Sequence, residues 1–330
     1  MDPRSLPGMT RKHKLMIKLG IIGLGHMGGY HANVSNNLTG VQLTAIADPS
    51  EKNLEKVKGA HVIKTSDYKE WIDTVDGVII AVPTGMHHAI AADCIKRGKH
   101  VLLEKPLTDN LADAQSLVDL AKEYKTALHV GHIERFNGAI QELKKIIHEP
   151  LLIECHRMGP FVARVAGDSV VLDLMIHDID LVLNIVNSPL VSLSAQGTKV
   201  YSQSCDIASV QMKFANGTIA SIVSSRASQV KKRSMAVHQK NEYLHLDFTT
   251  QDISIHRHAS SSIQVGTDQL KYRQEGSVEH VFVYKDNPLK LEIEHFIKSI
   301  KSGSDLVNPE QDVRALEITF EIERLLGLRQ

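Results

Sequence analysis

The chain has 330 residues, with 38 Lys plus Arg balanced by 38 Asp plus Glu for a formal net charge of zero. That length exceeds a usual single core and predicts two domains, while the balanced charge gives no electrostatic basis for a nucleic-acid or acidic-membrane partner. No apolar run is long enough to span a bilayer, and Cys94, Cys155 and Cys205 are too scattered for a zinc spacing or a disulfide framework, as expected in a reducing cytoplasm.

Residues 1–15 carry Arg4, Arg11, Lys12, His13 and Lys14 but no apolar core. They lack the pattern of a secretory signal and are expected to form a disordered extension, with Met9 and Met16 as alternative starts. An apolar strand at 19–22 then runs directly into Gly23-Leu24-Gly25-His26-Met27-Gly28. In such a turn Gly23 makes the tight bend, Gly25 admits a pyrophosphate to the backbone, and Gly28 lets the following helix pack close to the strand. The helix N-terminus offers N–H groups and a positive dipole end to the phosphates. A second strand at 41–47 ends at Asp48, where a carboxylate accepts the adenosine ribose hydroxyls and repels a 2′-phosphate, favouring NAD over NADP. An exposed turn aspartate before Pro49 is the plainer alternative.

From 16 to 131 strands alternate with helical patterns, which predicts a parallel doubly wound sheet. A strand at 78–82 closes on Pro83-Thr84, a helix at 87–97 ends at Gly98, a strand at 100–103 precedes a helix at 110–124, and a last strand covers 127–130. Ligands bind such sheets at the carboxyl ends of the strands. Glu104-Lys105-Pro106 terminates one of them, so Lys105 is placed to hydrogen-bond a substrate hydroxyl and ease its deprotonation. A solvated surface lysine is the bland alternative.

Gly131-His132-Ile133-Glu134-Arg135-Phe136 begins the second domain and is expected to line the cleft, with His132 and Arg135 as candidate substrate contacts. His129 and His132 lack a nearby third ligand, so no metal is expected, and His87 and His88 carry the same reservation. The segment 170–187 reads as one buried helix with a narrow polar stripe at 173, 177, 180, 184 and 187. Asp173 and His177 lie one turn apart and could serve one ligand; a polar face turned to water has the same periodicity. Alternating runs at 191–201, 206–214, 218–226, 242–248 and 252–257 read as strands, with Asn216-Gly217 as a hairpin turn. Residues 202–203 and 259–274 read as polar loops, and helices at 289–302 and 309–326 close the chain.

Taken together, the glycine turn, Glu104-Lys105-Pro106, and Asp173 with His177 in a D-x-x-x-H arrangement resemble the Gfo/Idh/MocA oxidoreductases from residue 16 to the C-terminus. Pro83-Thr84-Gly85-Met86-His87 is similar to that family's turn near the nicotinamide, with Thr84 in place of the more usual Asn. The resemblance implies a Rossmann domain at 16–131 and, at 132–330, an α/β domain with an open, mostly antiparallel sheet that binds substrate and forms a homodimer or homotetramer. It implies NAD contacts from Gly23, Gly25, His26, Met27, Gly28, Asp48, Pro83, Thr84, His87, Glu104 and Lys105.

The implied reaction is oxidation of a secondary alcohol, with Lys105, Asp173 and His177 as the catalytic set; His177 is favoured as the base, and which of Lys105 and His177 takes the first proton is left open by the sequence. Segments 130–137 and 156–161, with Arg164, look like those of UDP-N-acetylglucosamine 3-dehydrogenases within the family. A UDP-sugar substrate would then meet His132, Arg135, Arg157, Phe161, Arg164, Asp173 and His177, the arginines supplying cations for the diphosphate and Phe161 a face for the base. An inositol or free-sugar dehydrogenase would use the same Lys105, Asp173 and His177, and an NAD-responsive regulator without turnover would need only the glycines.

Overall fold

A computed structural model describes residues 16–59, 61–163, 167–265, 270–303 and 308–329; the expected extension at 1–15 and Arg164 lie outside the described residues. Six strands form the first sheet: β1 (Ile17–Ile22), β2 (Val41–Ala47), β3 (Ile63–Thr65), β4 (Gly77–Ile80), β5 (His100–Leu103) and β6 (Leu128–Val130). All pair in parallel, in the order β3-β2-β1-β4-β5-β6. The order reverses between β1 and β4, and a crevice opens beyond the carboxyl ends of the strands at that point.

Covered on both faces, the strands are nearly continuous apolar runs. Leu19, Ile21, Ile79 and Leu102 point to one face, and Ile22, Ile80, Val101 and Leu103 to the other. Helices α1 (His26–Asn36), α2 (Glu51–Lys56), α3 (His87–Lys96) and α4 (Leu111–Tyr124) make the crossovers. The Asn110 side chain caps α4 by accepting the Asp113 N–H at 2.9 Å.

After α5 (Gly138–Ile146) comes the second sheet: β7 (Leu152–Met158), β8 (Leu190–Thr198), β9 (Ile207–Phe214), β10 (Ile219–Ser225), β11 (Lys232–His238), β12 (Glu242–Asp247), β13 (Asp252–Val265) and β14 (Leu270–Val281). Its order is β14-β13-β12-β11-β7-β10-β9-β8, antiparallel throughout except that β7 and β10 run parallel. Three of these strands escape the sequence pattern. In β7 the inward position 157 is an arginine, and in β11 four consecutive residues from Ser234 to Val237 are buried, so neither shows clean apolar alternation. The expected polar loop at 259–274 falls on the β13–β14 hairpin, whose backbone pairing from Ile253↔Val281 to Val265↔Leu270 needs no apolar face to form.

The expected single helix at 170–187 is two elements, a π turn over Val171–Met175 and then α6 (Ile176–Val186), ended by Asn187 in the left-handed region at φ 41°. Its polar stripe is mostly shielded rather than solvated: Asp180 is 1% exposed, Asp173, His177 and Asn184 are half-buried, and Asn187 at the end is exposed. The closing helices α7 (Pro288–Ser302) and α8 (Pro309–Leu325) cross the expected division at 131/132. Leu289, Ile293 and Phe296 of α7 pack with Leu19, Ile21 and Ile79 of the first sheet. Leu316 and Phe320 of α8 enter the first sheet's other core, while Ile318 and Ile322 enter that of the second. No helix among the described residues is long and apolar enough to cross a membrane.

Candidate active site

The glycine turn is shaped as a dinucleotide cradle. Gly23 takes φ +86° and donates its N–H to Ala47 O at 2.8 Å, and a Cβ on Gly28 would lie 1.9 Å from Gly23 O. A Cβ on Gly25 would meet nothing within 4 Å, so that glycine keeps open the space a pyrophosphate occupies rather than satisfying the fold. His26 and Met27 open α1, whose N-terminus has no side-chain cap. Asp48 is buried; one carboxylate oxygen accepts the Leu24 N–H at 2.6 Å, and the other accepts the Ser50 N–H at 2.8 Å and Asn53 Nδ2 at 3.2 Å. It thus pins the turn as well as presenting negative charge beside the cleft of about 830 Å³ that Gly25, His26 and Asn53 line. These residues fit NAD.

Two further turns lie at the strand ends. Pro83 precedes a short turn over Thr84–Met86, and His87 follows it. The expected cofactor contact from His87 is corrected: its ring is buried, with Nδ1 at 2.9 Å from Pro106 O and Nε2 at 3.0 Å from Val82 O, so it staples the Pro83 turn to the Glu104-Lys105-Pro106 turn. Glu104 is held from below by His31 Nε2 at 2.7 Å. Burial and then Glu104 push the carboxyl of Glu292, on α7, well above its usual range.

Lys105 Nζ reaches across to the π turn and donates to Asp173 O at 2.7 Å, with the Asp173 carboxylate 3.7 Å away. Burial pulls the Lys105 ammonium below its usual value, against the pull of Asp173 and Glu104. His177 follows on α6. Burial first, then Lys105 and Arg157, push its pKa well below the ordinary 6.5, so the imidazole is neutral at working pH and free to accept a proton. Its Nδ1 is buried with no hydrogen-bond partner among the described residues.

The arginines expected to hold a diphosphate are directed elsewhere. Arg157 is 2% exposed and makes a bidentate pair with Asp178 at 2.8 and 3.0 Å, plus a bond to Glu134 at 2.7 Å. Arg135 donates to both Asp180 and Asp312. Two carboxylates neutralise each guanidinium, so neither charge is left for a ligand. His132 is buried beside the second pair, 3.9 Å from Asp180 and 3.9 Å from Asp312, and burial lowers its pKa to about 4. His132, Asp180 and Asp312 bring three possible metal-ligand atoms within 4.8 Å of one another, but Arg135 already binds both carboxylates there. Phe161 packs on Tyr201 at a centroid distance of 5.5 Å, and the Arg226 guanidinium lies 5.7 Å from its ring centre.

Sequence reasoning placed Asp180 only in the polar stripe and gave no role to His31, Glu134, Asp178, Asp312 or Glu292. For two of them a signal existed. Asp178 and Asp180 stand in an apolar helix that had to be buried, and buried carboxylates demand buried cations, which Arg157 and Arg135 provide.

Comparison with known proteins places these features. Residues 17–132 match the model of the GFO/IDH/MocA oxidoreductase family with its NAD-binding Rossmann fold, and residues 138–244 match the GFO/IDH/MocA C-terminal domain. The UDP-N-acetylglucosamine 3-dehydrogenase of Acidithiobacillus ferrooxidans is 30% identical over 86% of this chain and 88% of its own. Its solved structure superposes with a TM-score of 0.85, 28% identity, and coverage of 94% of this chain and 98% of the other. The myo-inositol 2-dehydrogenase of Thermotoga maritima is 27% identical over 94% of this chain and 96% of its own.

Proposed function

The chain belongs to the Gfo/Idh/MocA family of NAD-dependent oxidoreductases acting on CH–OH groups, and we propose that it oxidises the 3-hydroxyl of a UDP-N-acetyl-hexosamine to a 3-keto nucleotide sugar. The observation that carries the oxidation is the meeting of Lys105, Asp173 and a neutral His177 at the carboxyl end of β5, beyond the glycine turn. The UDP-sugar is supported by the similarity to the Acidithiobacillus enzyme, at somewhat higher identity than that to the Thermotoga inositol dehydrogenase.

When bound, NAD supplies the two-electron acceptor for the hydride that leaves the substrate carbon. The chain's residues manage the oxygen. His177 takes the hydroxyl proton as the carbon–oxygen double bond forms, since its depressed pKa keeps it in the accepting form. Lys105 hydrogen-bonds the same oxygen and stabilises the charge that develops on it. Asp173 anchors Lys105 through its main-chain oxygen and its carboxylate.

Assembly into a homodimer or homotetramer through the outer face of the second sheet completes the reading. It is supported by Val278 on β14 and Phe282 just beyond it, 55% and 86% exposed.

The test is NADH formation by the purified protein with NAD and, in parallel, UDP-N-acetylglucosamine, UDP-glucose, myo-inositol and glucose. Turnover of the UDP-acetamido sugar alone is expected. Turnover of myo-inositol alone would replace the substrate and keep the mechanism.

A further inference from the structure

A cleft of about 370 Å³ opens beside Asp173, between the end of β7 and the segment that leads from β10 into β11. Four cations line it: Arg157, Arg226, Lys231 and Arg233. Two of them are already matched. Arg157 is held by Asp178 and Glu134, and Arg226 by Asp206 at 2.6 Å in a pair almost wholly buried. Lys231 and Arg233 have no carboxylate partner among the described residues, and the one acid in the lining, Asp173, sits 3.7 Å from Lys105.

The sheet register makes this surplus more marked. Arg233 on β11 stands directly opposite Arg157 on β7, a like-charge cross-strand pair that costs stability unless something compensates it. Asp178 and Glu134 bond Arg157 directly, while Arg233 feels Asp178 only at longer range. Lys231 and Arg233 therefore bring to the cleft two cations with no salt-bridge carboxylate among the described residues, about one for each phosphate of a diphosphate at neutral pH.

We propose that Lys231 and Arg233, rather than Arg135 and Arg157, bind the diphosphate of the substrate, and that this pair selects a nucleotide sugar over a free polyol. The site rests on the proposed oxidation of a UDP-sugar and adds to it the residues that recognise the substrate class. From there the cleft continues past Pro160 and Val162 to Arg226, on which Phe161 rests beside Tyr201. That aromatic pair is where a base joined to the diphosphate would stack. The sugar ring of the same ligand, with its 3-hydroxyl, reaches Asp173 on the cleft wall, and Asp173 in turn holds Lys105.

The experiment compares the wild type with Lys231→Met, Arg233→Met, the double variant, and Lys145→Met, which removes an exposed lysine from α5. Two quantities are measured: the calorimetric affinity for UDP, and the KM for UDP-N-acetylglucosamine against that for NAD. Each single substitution at the cleft is expected to weaken UDP and raise the sugar KM about tenfold, with NAD unaffected and Lys145→Met silent. Lys231→Arg should recover most of the loss. Lys231 is exposed just before β11, so its substitution tests the proposal even if Arg233→Met fails to fold. Wild-type turnover of the UDP-sugar with unchanged constants in Lys231→Met would overturn the diphosphate site and leave the oxidation standing. A wild type that neither binds UDP nor oxidises any UDP-sugar would overturn both.

Discussion

Lys105 Nζ is bonded at 2.7 Å to the main-chain oxygen of Asp173, a residue 68 positions later in the chain, and lies 3.7 Å from its carboxylate. The contact joins the end of a strand in the first sheet to the π turn that precedes α6, so one bond sets the proposed catalytic groups from the two sheets against each other. It also separates two roles that a substitution series resolves. Lys105→Met should lower kcat about a thousandfold, the middle of the range for losing a positioned proton-transfer or oxyanion group. Asp173→Ala removes the carboxylate but keeps the main-chain bond, and a smaller loss of about tenfold is expected; equal losses in steady-state assays would contradict that division.

His177 carries a pH signature. Burial, Lys105 and Arg157 lower its pKa well below 6.5. A base must be unprotonated to act, so the depressed value defers its loss to more acidic solution, and kcat/KM should stay level as pH falls through 6.5. His177→Asn should cut kcat by a factor on the order of a hundred or more while the dissociation constant for NAD, read by fluorescence, stays put. A wild-type acid limb centred at or above 6.5 would count against this histidine as the base.

Stability should depend on pH through His132. Its folded pKa of about 4 lies below the ordinary 6.5, so between those values the unfolded chain binds a proton that the folded chain refuses. Stability is then full above about pH 6.5 and falls as pH drops toward 4, by roughly 3 kcal/mol for a shift of this size. Urea unfolding at pH 7.5 and 5.0 measures the loss, and His132→Asn should flatten it. His177 contributes with the same sign.

The two glycines of the turn should fail differently. Gly28→Ala drives a methyl to 1.9 Å from Gly23 O and is expected to cost about 2 kcal/mol of folding stability. Gly25→Ala meets no protein atom within 4 Å, so its melting temperature should match the wild type, while NAD binds about tenfold more weakly. A melting-temperature loss in Gly25→Ala would mean that the glycine serves the fold.

Arg157→Met leaves Asp178 and Glu134 without their cation, and a loss of about 3–5 kcal/mol is expected from denaturant unfolding. Were Arg157 a ligand-binding cation alone, its removal would leave stability unchanged.

The sequence by itself determined the Rossmann half and its cofactor. Local rules suffice there: a strand that runs into a glycine turn, a carboxylate at the end of the next strand, and apolar runs that must be covered on both faces. Lys105, Asp173 and His177 were legible as residue types at telling positions, and their meeting across the cleft required the tertiary contact. Only that structure decided which charges remain for a ligand. Arg135, Arg157, Arg226 and Arg233 are alike in sequence, but three of them are neutralised by carboxylates far off in the chain, at Asp180 and Asp312, at Glu134 and Asp178, and at Asp206. Pairing of this kind depends on strand register and helix packing, which bring residues of distant sequence together, and no local pattern encodes it.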